Sequence, residues 1–344
     1  MNAMNKTKTV VISALVLLVF TLILCIVFLF HGDDERDGKI GMAVEFMDHA
    51  AAAYIAKDKG WYEQQGLDLL AYESYTTGMA LATALAGEDI QVAYICLVPA
   101  INAYANAGVP IKIVAGTHKY GYALVVNPDV VSQVQDLAND GIRIGCVREG
   151  GAVDVLLNRT IEKYGLDRDG VLNKVRRMDP SKQLLAVKSR QLDAVFLPEQ
   201  WATMAENLGF QMILTSRDVW PRMQGSVLAV KEELVLDDPE FVRKLVVVTR
   251  DATEWINEHP EKSAEIMAKQ LSIIHDEVIP LKASRLASQL EITPATMMRS
   301  MNRLEYSTDF LFEDLQEVID YMAYLGYIKK SFPAEEIVDQ QFLN

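Results

Sequence analysis

The sequence predicts a two-lobed α/β protein that follows an N-terminal apolar segment. Three observations carry that expectation: an unbroken apolar run near the N-terminus, two successive series of short strands alternating with helices, and a closing block that reads as helix. Strands that alternate with helices build mainly parallel sheets.

The apolar run, Val10 to Phe30, has only Ser13 and Thr21 as polar members. At about 1.5 Å of rise per residue it crosses a ~30 Å hydrocarbon layer. Lys6 and Lys8 precede it, and Asp33, Asp34, Glu35, Arg36 and Asp37 follow. The positive-inside bias therefore leaves the N-terminus in the cytoplasm and the rest of the chain outside. The run is longer than a signal-peptide core and no small-x-small cleavage pattern lies near Phe30, so an uncleaved anchor in the cell membrane is expected.

Cys25 lacks the small residue that precedes a lipidated cysteine and reads as a membrane-buried thiol. Cys96 and Cys146 sit in separate strand-like runs without C-x-x-C spacing, so they read as small buried hydrophobes; no disulfide framework or metal site is expected. The net charge of −14 disfavours nucleic acid and anionic membrane surfaces. With 344 residues, half of them hydrophobic, the chain exceeds one compact unit, and two lobes are expected.

In chain order, 39–45 reads as a strand, and the run HAAAAYIAKDKG as a helix closed by Gly60. A strand at 67–73, a helix opened by Thr76-Thr77-Gly78, a strand at 89–95, a helix from Pro99 to Asn106 and a strand at 110–116 complete a first series. The segment 121–127 crosses to a second series: a strand at 142–147, a Gly150-Gly151 turn and helix, a strand at 174–178, a helix from Pro180, a strand at 192–197, a helix from Glu199 and a strand at 210–215. Residues 226–231 cross back, and from Asp238 the chain is helical, punctuated by Pro260, Pro294 and Pro333. These last helices are expected to brace the first lobe. Residues 284–305 have helix-turn-helix spacing, but no basic recognition helix and an extracellular position, so DNA binding is not expected.

The order of these elements resembles the nitrate, sulfonate, taurine and thiamine-precursor binding proteins of ABC importers. The resemblance runs over nearly all of 39–344. Its carriers are KIGMAVEFMDHAAAAYIAKDKGWYEQQGLDL, the Thr77-Gly78 helix start, VPIKIVAG, YALVV, SKQLLAVKSRQLDAVFLPEQWA, TEWINEHPEKSAEI and YLGYIKK with EEIVDQQFL. It implies a bilobal Venus-flytrap fold of the type II periplasmic-binding-protein kind, preceded by one transmembrane helix. Residues 1–38 would hold the cytoplasmic tip, span and linker, 39–122 with 226–344 the first lobe, and 123–225 the second. A monomer would capture a small molecule and present it to an ABC permease driven by a cytoplasmic ATPase.

In open α/β sheets a ligand lies beyond the carboxyl ends of the strands, where helix N-termini offer unpaired N–H groups. The strand-to-helix corners select Glu45, Met47, Asp48 and His49, then Thr76, Thr77 and Gly78, then Thr117, then Glu149, Gly150 and Gly151, then Glu199, with Trp220 in a loop between lobes. Thr76 and Thr77 either donate hydroxyls to a ligand or cap the helix, and Gly78 admits close approach. Glu199 either holds an ammonium or aminopyrimidine group or complements a helix N-terminus. Trp220 either stacks on the ligand or packs, and Trp201 reads as core.

Relatives that bind oxyanions resemble one another in a Gly-Ser-Thr-like turn where this chain has Gly150, Gly151 and Ala152. The family's Trp-Glu-Pro-Trp segment corresponds to Pro198-Glu199-Gln200-Trp201. Glu45, Asp48, Glu149 and Glu199 would make the cleft acidic and tilt the expectation towards an amino-bearing ligand. His49 and His118 lack metal-ligand spacing and read as a helix-start and a surface histidine. No catalytic residue and no cofactor is expected: there is no G-x-S-x-G, no phosphate loop and no H-E-x-x-H. A ligand-sensing clamshell is the alternative, followed by a relative of the thiamine-pyrimidine-synthesising enzyme, whose cysteine-rich iron motif is missing here.

Overall fold

The computed structural model describes residues 40–87, 89–278 and 292–343. The expected membrane span at 10–30, its linker and residues 284–291 lie outside the described residues. Among the described residues no helix is long and apolar enough to cross a membrane. All elements below belong to the compact unit Ile40–Asn344.

Eleven strands are named: β1 Ile40–Glu45, β2 Leu69–Tyr75, β3 Val92–Cys96, β4 Ile111–Lys119, β5 Tyr122–Val126, β6 Ile144–Cys146, β7 Val175–Arg177, β8 Ala194–Pro198, β9 Gln211–Thr215, β10 Gln224–Lys231 and β11 Glu305–Tyr306. They form a six-stranded sheet in the order β11-β4-β10-β3-β1-β2 and a five-stranded sheet in the order β7-β6-β8-β5-β9. In the first, β1 is parallel to β2 and β3, whereas β10 is antiparallel to β3 and β4. In the second, β6 is parallel to β7 and β8, and β5 is antiparallel to β8 and β9. Both sheets are therefore mixed: a late strand, β10, inserts between β3 and β4 in the first, and β5 runs antiparallel between β8 and β9 in the second. Every residue of β3, β5, β8 and β10 is buried. Such continuous burial suits strands covered on both faces.

The helices that matter here are α1 Ala51–Asp58, α2 Gly78–Leu85, α3 Leu97–Ala105, α4 Ala152–Lys163, α5 Pro180–Lys188, α6 Glu199–Asn207, α7 Pro239–Glu258, α8 Pro260–Val278, α9 Pro294–Met301 and α10 Phe312–Tyr324. Helix α7 starts on the Asp238 side chain, which accepts the Phe241 N–H, with Pro239 in the first turn where no N–H is needed. Among the C-terminal helices, α7 and α8 pack on α1 of the six-stranded half, and one further helix also reaches the other half. Helix α9 packs on both α8 and α6, and the Arg299 guanidinium just before its end donates to Thr203 O at 3.2 Å and Asn207 Oδ1 at 2.9 Å. Polar groups on α6 give it partners in the other half.

Two segments connect the sheets. After β4 the chain turns at Tyr120 and Gly121, both left-handed with φ of 67° and 93°. The Tyr120 N–H donates to Met223 O at 3.0 Å, which ties the outgoing segment to the returning one. Glycine at 121 meets two demands: its φ, and the His49 Nε2 that would lie 2.6 Å from any Cβ there.

Candidate functional site

A cavity of about 390 Å³ lies between the two sheets, at the carboxyl ends of β1, β2 and β3 on one side and β6, β7 and β8 on the other. The six-stranded half supplies Met47, Thr76, Thr77, Gly78, Met79, Ala80, Thr83, Cys96 and Pro99. The five-stranded half supplies Val147, Arg148, Gly151, Ala152, Val153, Asp179, Pro180 and Pro198, and Tyr122 lies where the chain crosses. The first or capping residues of α2, α3, α4, α5 and α6 are all in this lining. Each such end carries amides without intrahelical acceptors and a partial positive charge. Arg148 adds a full charge, and the one carboxylate among the described lining residues, Asp179, pairs with Lys182 at 3.3 Å.

Of the residues singled out by sequence, Met47, Thr76, Thr77, Gly78 and Gly151 line the cavity. The Thr77 hydroxyl accepts the Ala80 N–H at 3.3 Å, so it caps α2 while facing the cavity. Gly78 is needed because a Cβ there would stand 2.2 Å from Glu45 Oε1 and 2.7 Å from Pro99 Cγ. Glu149 is exposed beside the cavity, and Gly150 is buried, its N–H donating to Asp154 Oδ2 at 3.0 Å and its carbonyl accepting from Asn102 Nδ2 at 3.0 Å. Asn102 lies on α3, so this last bond joins the halves.

The remaining candidates sit behind the walls. Glu45 is fully buried and accepts the Cys96 N–H at 2.9 Å and its S–H at 2.9 Å. Burial pushes its carboxyl up to about 7, against those hydrogen bonds. Asp48 is also fully buried, accepts the Ser300 hydroxyl, and is pushed up to about 7 by burial. His49 is buried with Nε2 donating to Gly121 O at 2.9 Å, and Thr117 donates to the His49 carbonyl at 3.4 Å. Burial holds His49 well below the usual imidazole range, helped by His118, whose own pKa burial pushes down to about 3. The 3.9 Å approach of His49 to Glu45 is thus not an ion pair of two charges.

Glu199 is buried against Arg303 at 3.0 Å and the Thr203 hydroxyl at 2.9 Å, and it lines a separate cavity of about 200 Å³. Burial raises its carboxyl to about 8 in spite of Arg303. Trp220 is buried edge-on to Tyr321 at 5.4 Å, under the Arg159 guanidinium at 4.8 Å. None of the four carboxylates expected to make the cleft acidic lines this cavity: three are turned inward onto protein donors and Glu149 faces solvent. The expected surface position of His118 is corrected too, since its ring packs on His49 with centroids 4.3 Å apart. Of the lining residues not singled out by sequence, Arg148 stands at an expected corner and Cys96 one residue before another, whereas the Asp179-Pro180 corner was not among those expected to rim the cleft; the strand-end rule also gives no side-chain direction.

Two sheets that deliver parallel strand ends to a shared cavity, joined by paired crossovers, define the α/β periplasmic-binding-protein class. The profile of the NMT1-like family matches residues 33–272, and the chain belongs to that family. It is 29% identical over 247 residues to a binding protein of Brucella abortus (strain 2308), covering 70% of this chain and 73% of that one. In structure it is similar to the alkanesulfonate-binding protein SsuA of Xanthomonas axonopodis pv. citri, solved bound to MOPS: TM-score 0.70, 14% identity, 88% of this chain and 98% of that one. It is also similar to the periplasmic nitrate-binding protein NrtA of Synechocystis PCC 6803, with TM-score 0.70, 16% identity and coverage of 89% and 87%. These structural likenesses carry the fold. The relatives named here are binding proteins rather than enzymes.

Proposed function

We infer that the chain is the extracytoplasmic solute-binding component of an ABC import system, and that it holds a small solute by an oxyanion head in the cavity between its halves. The observation that carries this reading is the convergence of five helix N-termini and Arg148 on one cavity. An anionic group there gains from every one of those dipole ends, whereas an ammonium group would oppose them. Sulfonates, taurine, nitrate and bicarbonate offer such a head; an uncharged aminopyrimidine does not.

On this reading Met47, Thr76, Thr77, Gly78 and Gly151 touch the solute and Arg148 pairs with its charge. Residues 39–122 with 226–344 form one lobe and 123–225 the other, closing on the solute because the closed state binds it more tightly. The apolar run 10–30 tethers a monomer to the membrane with the binding domain outside, beside the permease and ATPase that receive the solute.

The test is thermal unfolding of the full-length protein with alkanesulfonates, taurine, nitrate, bicarbonate and an aminopyrimidine. A true ligand at ~100 times its dissociation constant adds ~2.7 kcal/mol. Stabilisation by one or more oxyanions is expected. Stabilisation by the aminopyrimidine alone, or by no oxyanion, overturns the anionic reading.

A further inference from the structure

Behind the cavity floor, three elements bring together side chains that the solute-binding reading does not use. Glu45 ends β1, His49 lies four residues on in a short 3-10 turn, and Cys96 ends β3 beside it. One ligand atom from each lies within 4.8 Å of the others, and all three residues are buried. The edges of the triangle are 2.9 Å from Cys96 Sγ to Glu45 Oε2, 3.5 Å from Cys96 Sγ to His49 Nδ1, and 3.9 Å from His49 Nδ1 to Glu45 Oε2.

We propose that Glu45, His49 and Cys96 form a binding site for a divalent cation of the zinc class, held by one carboxylate oxygen, one imidazole nitrogen and one thiolate.

The donor set, one O, one N and one S, suits zinc and its borderline neighbours and not calcium or magnesium. A tetrahedral zinc with bonds of about 2.0–2.3 Å places its ligand atoms roughly 3.3–3.6 Å apart. Two of the three edges lie close to that span. The third is short because the thiol proton sits between sulfur and carboxylate; a cation takes that proton's place, and one proton leaves to solvent for each thiol ionised.

The histidine is already set for the task. Gly121 O can only accept, so the Nε2–H of His49 points at it and the Nδ1 lone pair faces Cys96 and Glu45. Gly121 permits this approach, since any Cβ would collide with the ring. His118, tilted by 48° with centroids 4.3 Å apart, and Tyr122, edge-on at 5.2 Å, fix the imidazole plane. No lysine or arginine among the described residues pairs with Glu45. The buried carboxylate therefore lacks a full positive partner, which a divalent cation would supply. Cys96 alone of the three lines the cavity, so a cation is reached from that side.

The experiment uses the full-length protein in detergent, stripped by chelator and given Zn(II) alone or Co(II) alone, without solute. Expected are one metal per chain, a thiolate-to-cobalt charge-transfer band, and zinc X-ray absorption showing one sulfur at about 2.3 Å with the other scatterers N or O at about 2.0–2.2 Å. Cys96→Ser and His49→Gln should each weaken uptake beyond the roughly 10–100-fold that loss of an outer-shell partner costs. Cys146→Ser should leave it unchanged. Absence of stoichiometric uptake, a zinc shell without sulfur, or a band that survives Cys96→Ser overturns the site. The absorption measurement is made on the unmutated chain, so it decides the matter even where a variant does not fold. Because no solute is added, failure here leaves the oxyanion reading untouched, and the converse holds.

Discussion

Glu45 in the six-stranded half and Asp154 in the five-stranded half are both fully buried, and each stands behind a helix start that lines the cavity. Asp154 is surrounded by donors: the Arg177 guanidinium, the Tyr327 hydroxyl and the Gly150 N–H at 3.0 Å. Glu45 meets a thiol, an amide and a neutral imidazole, and burial raises its carboxyl. The two walls of one cavity therefore rest on different chemistry. A carboxylate with its own cation is a fixed strut, whereas one without a cation is a group whose charge depends on what else arrives.

The comparison is broken most directly by removing the strut. Asp154→Ala leaves Arg177 partly buried without its partner and unhooks Gly150 and Tyr327, so a loss of about 3–5 kcal/mol is expected from urea denaturation. A loss under about 1 kcal/mol would mean that the pair behaves as a surface bridge. Next in size, Arg148→Gln removes the one cation among the described lining residues. Oxyanion affinity should fall by about 1.5–3 kcal/mol while the urea midpoint of the empty protein stays in place, since Arg148 is exposed. Calorimetric titration reads the first quantity, and equal affinity in both proteins would remove Arg148 from the site.

Glu199 sharpens the comparison because it is an intermediate case, buried and paired with Arg303 yet raised to about 8. A carboxyl raised in the folded state contributes stability that is fully present below its unfolded pKa of about 4.3 and is lost as pH rises through about 8. Wild-type stability should thus carry a falling component between about pH 4.3 and 8, at most about 1.4 kcal/mol per pH unit, that Glu199→Gln lacks. Parallel pH profiles for the two proteins would show that Arg303 keeps the group ionised throughout. The smallest effect is expected at Thr77→Ala, which removes the hydroxyl cap of α2: about 1 kcal/mol in the melting curve. The matching helix start in the other half, at Gly151, has no side-chain cap to lose.

Much of the fold was legible because its signals are local. Apolar runs gave the strands, and Gly60, Thr77, Pro180 and Glu199 marked helix ends that stand where the sequence placed them, within a residue or two. The place of β10 between β3 and β4 was not legible, since a strand's neighbours are set by pairing across more than a hundred residues. The same holds for the site. The strand-end rule found most corners but not the one at Asp179-Pro180, and within a corner it gives no direction: Glu45, Phe46, Met47, Asp48 and His49 lie within five positions and face different ways. The Met47 N–H bonds back to Glu45 O at 2.8 Å, and in that tight turn Met47 faces the cavity while Asp48 and His49 enter the interior. His49 and Cys96 meet only because β1 and β3 are neighbours, and no spacing in the sequence announces that.

Lys119, the last residue of β4, pairs with Gln224, the first of β10, so the chain leaves the six-stranded sheet and rejoins it at adjoining positions. Everything from Tyr120 to Met223 is in topological terms an insert with a single seam. Such an insert can be exchanged, or interrupted by a reporter, through that seam without cutting another strand of the six-stranded sheet. Its sequence can also diversify between its fixed contacts at Gly121, Gly150 and α6, while the backbone pairing of the host sheet closes beneath it.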